Sequence, residues 1–154
     1  MPVSMISLHP AVVHFPIAFL VLSSVAGLVY LYAWRRPALR VLTWWPAGLG
    51  WLGLWPAILS GLLAQQNLPP QAPYSHVLNW HIGTAMALVV IYAAALYQGW
   101  LYRQRRRDGA PDDLLEAPSG RRLLTVWLAL GLVTVLSTSY LGGQLVYTWG
   151  VNTP

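Results

Sequence analysis

Four long apolar runs alternate with short polar breaks along the chain. The first covers about residues 10–33 and stops at Arg35-Arg36; the others cover about 41–64, 76–102 and 123–145. At about 1.5 Å of rise per residue, each run is at least about 33 Å long as a helix, enough to cross a bilayer core with some tilt. None shows the period-two alternation of a transmembrane barrel strand. The pattern therefore predicts an all-α, integral membrane four-helix bundle, one transmembrane domain spanning 1–154. Its loops at 34–40 and 103–122 lie on one side of the membrane.

Local signals refine these spans. Pro10 suits a first helical turn, while Pro16 and Pro56 are expected to kink their helices or, for Pro16, to mark the true start. Ser23, Ser24, Gly27 and Ser60-Gly61 offer small surfaces for close helix contact. Residues 65–75 carry three prolines and no charge, which predicts a stiff, extended connection. Ser75 or Asn79 could cap the third helix. The stretch 103–121 holds all four acidic residues beside several arginines and reads as a solvated loop. Trp44, Trp45, Trp80 and Trp149 read as interfacial anchors. Met1, Met5 and Met86 read as start, interface and core residues, and Gly142-Gly143 as a helix end or a close approach to a ligand.

Composition strengthens the membrane reading. Of 154 residues, 56% are hydrophobic and only 8% charged, against about 25% charged in soluble domains. The mean hydropathy is +0.52. No cysteine is present, which excludes disulfides, thiolate catalysis, iron–sulfur clusters and covalently attached haem. No Lys or Arg precedes the first apolar run and no small-residue cleavage site follows it, so that run is expected to stay as a helix.

The net charge of +5 would suit a nucleic-acid binder, but the placement of the charges argues for topology instead. All nine positive residues are arginines: Arg35, Arg36, Arg40, Arg103, Arg105, Arg106, Arg107, Arg121 and Arg122. With four spans, every one falls on the same side. Positive residues gather on the cytoplasmic side of membrane proteins. The expectation is a multi-pass protein of the bacterial inner membrane with both termini outside, in contact with lipid and with no nucleic acid.

The candidate chemistry then collects on the outer side. His9 and His14 open the first span, and His76 and His81 repeat the same five-residue spacing at the third. Counted from the rim, His14 and His81 lie about 6–8 Å deep, with His9 and His76 at the rim. Five helical residues turn through 500°, a net 140°, so the two histidines of one span cannot share a face. Diagonal helices in a bundle lie about 11–14 Å apart, room for a flat cofactor with a ligand on each side. Three readings stand. In the first, His14 and His81 hold a b-type haem for electron transfer. In the second, three or four of His9, His14, His76 and His81 hold copper or zinc. In the third, the histidines cap helices or support a quinone or partner site. No HExxH pattern and no outer-side carboxylate accompany them, so a binding or electron-transfer subunit is favoured over a stand-alone enzyme.

The strings His9-Pro10…Val13-His14-Phe15-Pro16-Ile17 and Leu141-Gly142-Gly143-Gln144-Leu145-Val146-Tyr147…Gly150-Val151 together resemble the DUF2231 family, small bacterial four-span membrane proteins. The resemblance covers essentially the whole chain. It implies a membrane module in a respiratory setting, with a periplasmic cytochrome or respiratory-complex subunits as partners, and it leaves homo-oligomerisation open. It points to His9, His14, His81, Gly142, Gly143 and Tyr147 as functional positions. Where relatives carry histidines around the Leu-Gly-Gly and Val-Tyr strings, this chain has Tyr140 and Trp149, which weakens a metal site built on the fourth span.

Overall fold

A computed structural model of the protein describes residues 8–66, 68–69, 71–105 and 109–151. Four helices follow one another: α1 (Leu8–Tyr32), α2 (Pro37–Gln65), α3 (Ser75–Arg105) and α4 (Pro118–Tyr147). No strand occurs among the described residues. All four helices are long and apolar enough to cross a membrane. The N-termini of α1 and α3 share one end of the bundle with the C-termini of α2 and α4. We call it the histidine end and the opposite end the arginine end.

Proline sets where α2 and α4 begin. Pro37 and Pro118 occupy their first turns, after Arg36 and Ala117 in extended conformations. A proline there loses no helical hydrogen bond and forces the preceding residue out of the helical region. Both helices therefore start within segments whose polarity suggested loop, at Pro37 rather than about 41 and at Pro118 rather than about 123. Pro16, Pro46 and Pro56 lie inside helices without ending them. Pro16 does not mark the start of α1; it is buried and faces Gly53 of α2. Helix α4 also runs straight through Gly142-Gly143. It ends at Tyr147, and the turn after it closes at Gly150, whose φ of 63° lets its N–H bond the Val146 carbonyl (3.1 Å) while Val151 N–H bonds that of Leu145 (2.9 Å). This left-handed closure is the usual task of a glycine after a helix.

The helices pair as α1 with α2 and α3 with α4, and α1 also lies along α4. The α2/α3 seam is the loosest of the four. An apolar cluster of Leu20, Ala47, Leu54, Leu88, Ile91, Tyr92 and Val135 fills the middle. Without water, helix association rests on close packing and on interhelical hydrogen bonds, and the bundle uses both. Ser23 donates to the Thr43 carbonyl (2.7 Å), joining α1 to α2. Tyr92 crosses the diagonal from α3 and donates to the Leu20 carbonyl of α1 (3.0 Å). Its hydroxyl proton thus spent, Tyr92 accepts from Ser24 (2.7 Å).

At the arginine end the segment before α4 is folded against the bundle, not simply solvated as its charge suggested. Leu114, Leu115 and Ala117 are buried with Tyr30, Leu31, Leu124 and Leu128. The buried Asp113 carboxylate accepts from Trp44 Nε1 at both oxygens (2.9 Å each) and from Leu115 N–H (3.0 Å). Glu116 accepts from Arg40 (2.7 Å) and Tyr30 (3.0 Å). Arg106, Arg107 and, at the N-terminus, Met1 and Met5 lie outside the described residues.

Candidate functional site

The middle apolar cluster stops short of the histidine end, where polar and small side chains take its place. His9 enters from α1 and His81 from α3, and their rings lie 6.5 Å apart, centre to centre, at 85° to each other. Each ring is held by the second helix of its own pair. His9 Nδ1 lies 2.9 Å from Ser60 Oγ of α2. His81 Nδ1 lies 3.0 Å from the Thr138 carbonyl of α4. Two glycines complete the arrangement. A Cβ at Gly61 would stand 3.0 Å from His9 Cε1, and one at Gly142 would stand 3.0 Å from His81 Cε1. The two halves of the bundle thus offer the same device: an imidazole from the first helix lying on a glycine of the second.

The hydrogen-bond partners assign the protons. A carbonyl only accepts, so His81 carries its proton on Nδ1. Ser60 donates its one hydroxyl proton to the Ala57 carbonyl (2.9 Å). That carbonyl also lies within reach of the His9 ring, and both Ser60 contacts are met when His9, too, carries its proton on Nδ1. Both Nε2 atoms keep an in-plane lone pair, and neither has a hydrogen-bond partner among the described residues. A ring fixed through Nδ1–H with a free Nε2 is the disposition of a metal-binding histidine.

The other predicted site residues are distributed differently. His14 is exposed on the outer face of α1 and donates back to the Pro10 carbonyl of its own helix. The inner pairing of His14 with His81 does not form; His9 stands in its place. The reason is azimuth. His14 is turned a net 140° from His9, and it is His9 that faces α2 and lies beside His81. His76, also exposed and within regular helix, accepts from Trp80 Nε1 (3.0 Å). The expected four-histidine gathering is therefore not seen, and among the described residues no three His, Asp or Glu side chains converge. Ser75 opens α3 but bonds back to the Ala72 carbonyl rather than capping it. Gly143 faces open space apart from Tyr147, and Tyr147 is 90% exposed.

Ser60 and the Thr138 carbonyl, which orient the two rings, were not singled out as functional from the sequence. Ser60 was visible there as part of a small Ser-Gly pair at the level of His9. A backbone carbonyl leaves no such mark. Among known proteins, the family model described as "Predicted membrane protein (DUF2231)" matches residues 5–154. No curated protein and no solved structure matches the chain.

Proposed function

The chain belongs to the DUF2231 family of predicted membrane proteins, a description that carries no activity, and we propose from its histidine end that it binds a b-type haem between His9 and His81 and serves as a membrane electron-transfer subunit. The observation that carries this reading is the pair of Nδ1-anchored imidazoles with free Nε2 atoms. Two imidazoles trans to each other on one metal, at about 2.0–2.1 Å per bond plus about 1.1 Å from nitrogen to ring centre, have centres about 6.3 Å apart. The observed spacing is 6.5 Å. Tetrahedral ligation, as in a zinc site, would bring the centres to about 5 Å at the same bond lengths. The spacing thus suits two imidazoles on opposite sides of one metal, as haem would need, better than a tetrahedral zinc site. The bound haem would supply one-electron oxidation and reduction.

The chain's own residues hold this geometry. Ser60 and Thr138 fix the tautomer and the ring planes, and Gly61 and Gly142 leave the ring edges clear. The arginine bias supports an outer, periplasmic position for the histidine end in a bacterial inner membrane. There an external cytochrome or a respiratory-complex subunit could exchange the electron.

The test is a reduced-minus-oxidised spectrum of the purified, haem-loaded protein. A b-type α-band is expected, lost in His9→Ala and in His81→Ala and kept in His14→Ala and His76→Ala. A folded wild-type protein that takes up no haem would overturn the reading. So would an unchanged spectrum in a His9→Ala/His81→Ala double variant.

A further inference from the structure

The α2/α3 seam carries a second feature, at the arginine end. Little backbone contact joins these two helices; tryptophans bridge them instead, Trp51 at mid-height and Trp44 toward the arginine end. Trp51 Nε1 donates to the Val89 carbonyl (3.0 Å). The Trp44 ring lies against Gly99, where a Cβ would stand 2.7 Å from its Cη2. These indoles prop the seam and leave a groove of about 330 Å³ lined by Trp44, Trp45, Leu96, Gly99, Trp100 and Arg103.

Its lining chemistry is one-sided. Every polar side-chain group in it is a donor, since indoles and guanidinium groups have no acceptor. Trp44 spends its N–H on Asp113. Trp45 and Trp100, 70% and 55% exposed, have no acceptor among the described residues. Arg103 is 54% exposed and lies over the Trp44 ring, 5.8 Å from its centre. Its one ion pair among the described residues, with Asp113, is long at 3.8 Å. That carboxylate is already engaged by Trp44, Leu115 and, at 3.6 Å, Arg40. A guanidinium with unused donors at the rim of a lipid-facing groove calls for an anion.

We infer that the α2/α3 groove seats an anionic phospholipid, its phosphate on Arg103 and the Trp45 and Trp100 N–H groups and an acyl chain along Leu96 and the indole faces. Charge complementarity selects this occupant. A quinone head is neutral and would add no charge to a guanidinium whose partner carboxylate, Asp113, is distant and shared with Arg40. A zwitterionic lipid offers the phosphate but brings its own cation to the site. A basic pocket between helices at the cytoplasmic side suits an acidic lipid head in this way.

Native mass spectrometry of the full chain tests the inference, with phosphatidylglycerol and phosphatidylcholine of matched acyl chains as probes. Phosphatidylglycerol should be retained about fivefold more strongly, the gain from one arginine near an anionic head. Arg103→Gln should abolish the preference, Arg103→Lys should keep most of it, and Arg122→Gln, outside the groove, should keep all of it. Should Arg103→Gln fail to fold, the Trp45→Phe/Trp100→Phe variant must weaken phosphatidylglycerol retention. Equal retention of the two lipids overturns the inference, as does an equal loss in Arg122→Gln. Displacement of phosphatidylglycerol by an equal amount of a neutral quinone also overturns it, and marks a quinone site instead.

Discussion

A single hydroxyl proton bears on the state of His9. Because Ser60 gives it to the Ala57 carbonyl, the imidazole satisfies Ser60 by presenting Nδ1–H and keeping Nε2 bare. Removing that hydroxyl leaves the His9 N–H only the Ala57 carbonyl, so Ser60→Ala should cost about 1 kcal/mol of stability in detergent unfolding. It should also weaken haem binding about 10- to 100-fold, the usual effect of losing a group that orients a metal ligand. Gly143→Ala, where a Cβ meets only Tyr147 at 4.0 Å, should leave both unchanged. A haem titration beside an unfolding curve reads both. The placement of the candidate residues was half legible at this scale. His9 and His81 stand out in the sequence, but counting depth from the rim set His14 beside His81, where the structure sets His9. Depth can be counted in residues, whereas azimuth depends on which face the neighbouring helix covers. The one sequence feature that bears on it is Ser60-Gly61, at the level of His9.

At the scale of elements, the four helices were legible because lipid demands long uninterrupted apolar runs. Their ends were not. Proline pulled α2 and α4 back into polar sequence, and the polar residues there found partners within the protein. Glu116 shows the consequence. The Arg40 guanidinium, and then the Tyr30 hydroxyl, hold its carboxyl below the ordinary carboxylate value. The folded state therefore binds this proton less readily than the unfolded state does. Its contribution is fully present above the unfolded carboxyl's pKa and is lost as pH falls through the lower folded value. Thermal stability should accordingly fall with acidification below about pH 4.3, and Glu116→Gln should flatten part of that slope. An unchanged slope would show that Arg40 and Tyr30 contribute nothing through Glu116.

For the whole molecule, the arginine distribution and the fold address different questions. The fold puts His9 and His81 at one end and Arg35, Arg40, Arg103 and Arg121 at the other. On the orientation proposed above, the charge bias would turn the arginine end to the cytoplasm. A periplasm-active phosphatase reporter fused after Pro154 should therefore be active, and one inserted at Ala110 inactive. The reverse pattern would turn the histidine end toward the cytoplasm. The propped α2/α3 seam had no counterpart in the sequence. Tryptophans near helix ends read as membrane anchors, and that one of them lies on Gly99 depends on two helices meeting.

The division of the two imidazoles between the two helix pairs has a thermodynamic consequence. Each ring is oriented within its own pair, yet no ligand can bridge both Nε2 atoms until the pairs have docked. Bridging ligand is therefore linked to assembly: at 100 times its dissociation constant it would add about 2.7 kcal/mol to the docked state. Loading would then act as a latch that closes only on a completed bundle, and a chain with one pair misinserted would stay empty.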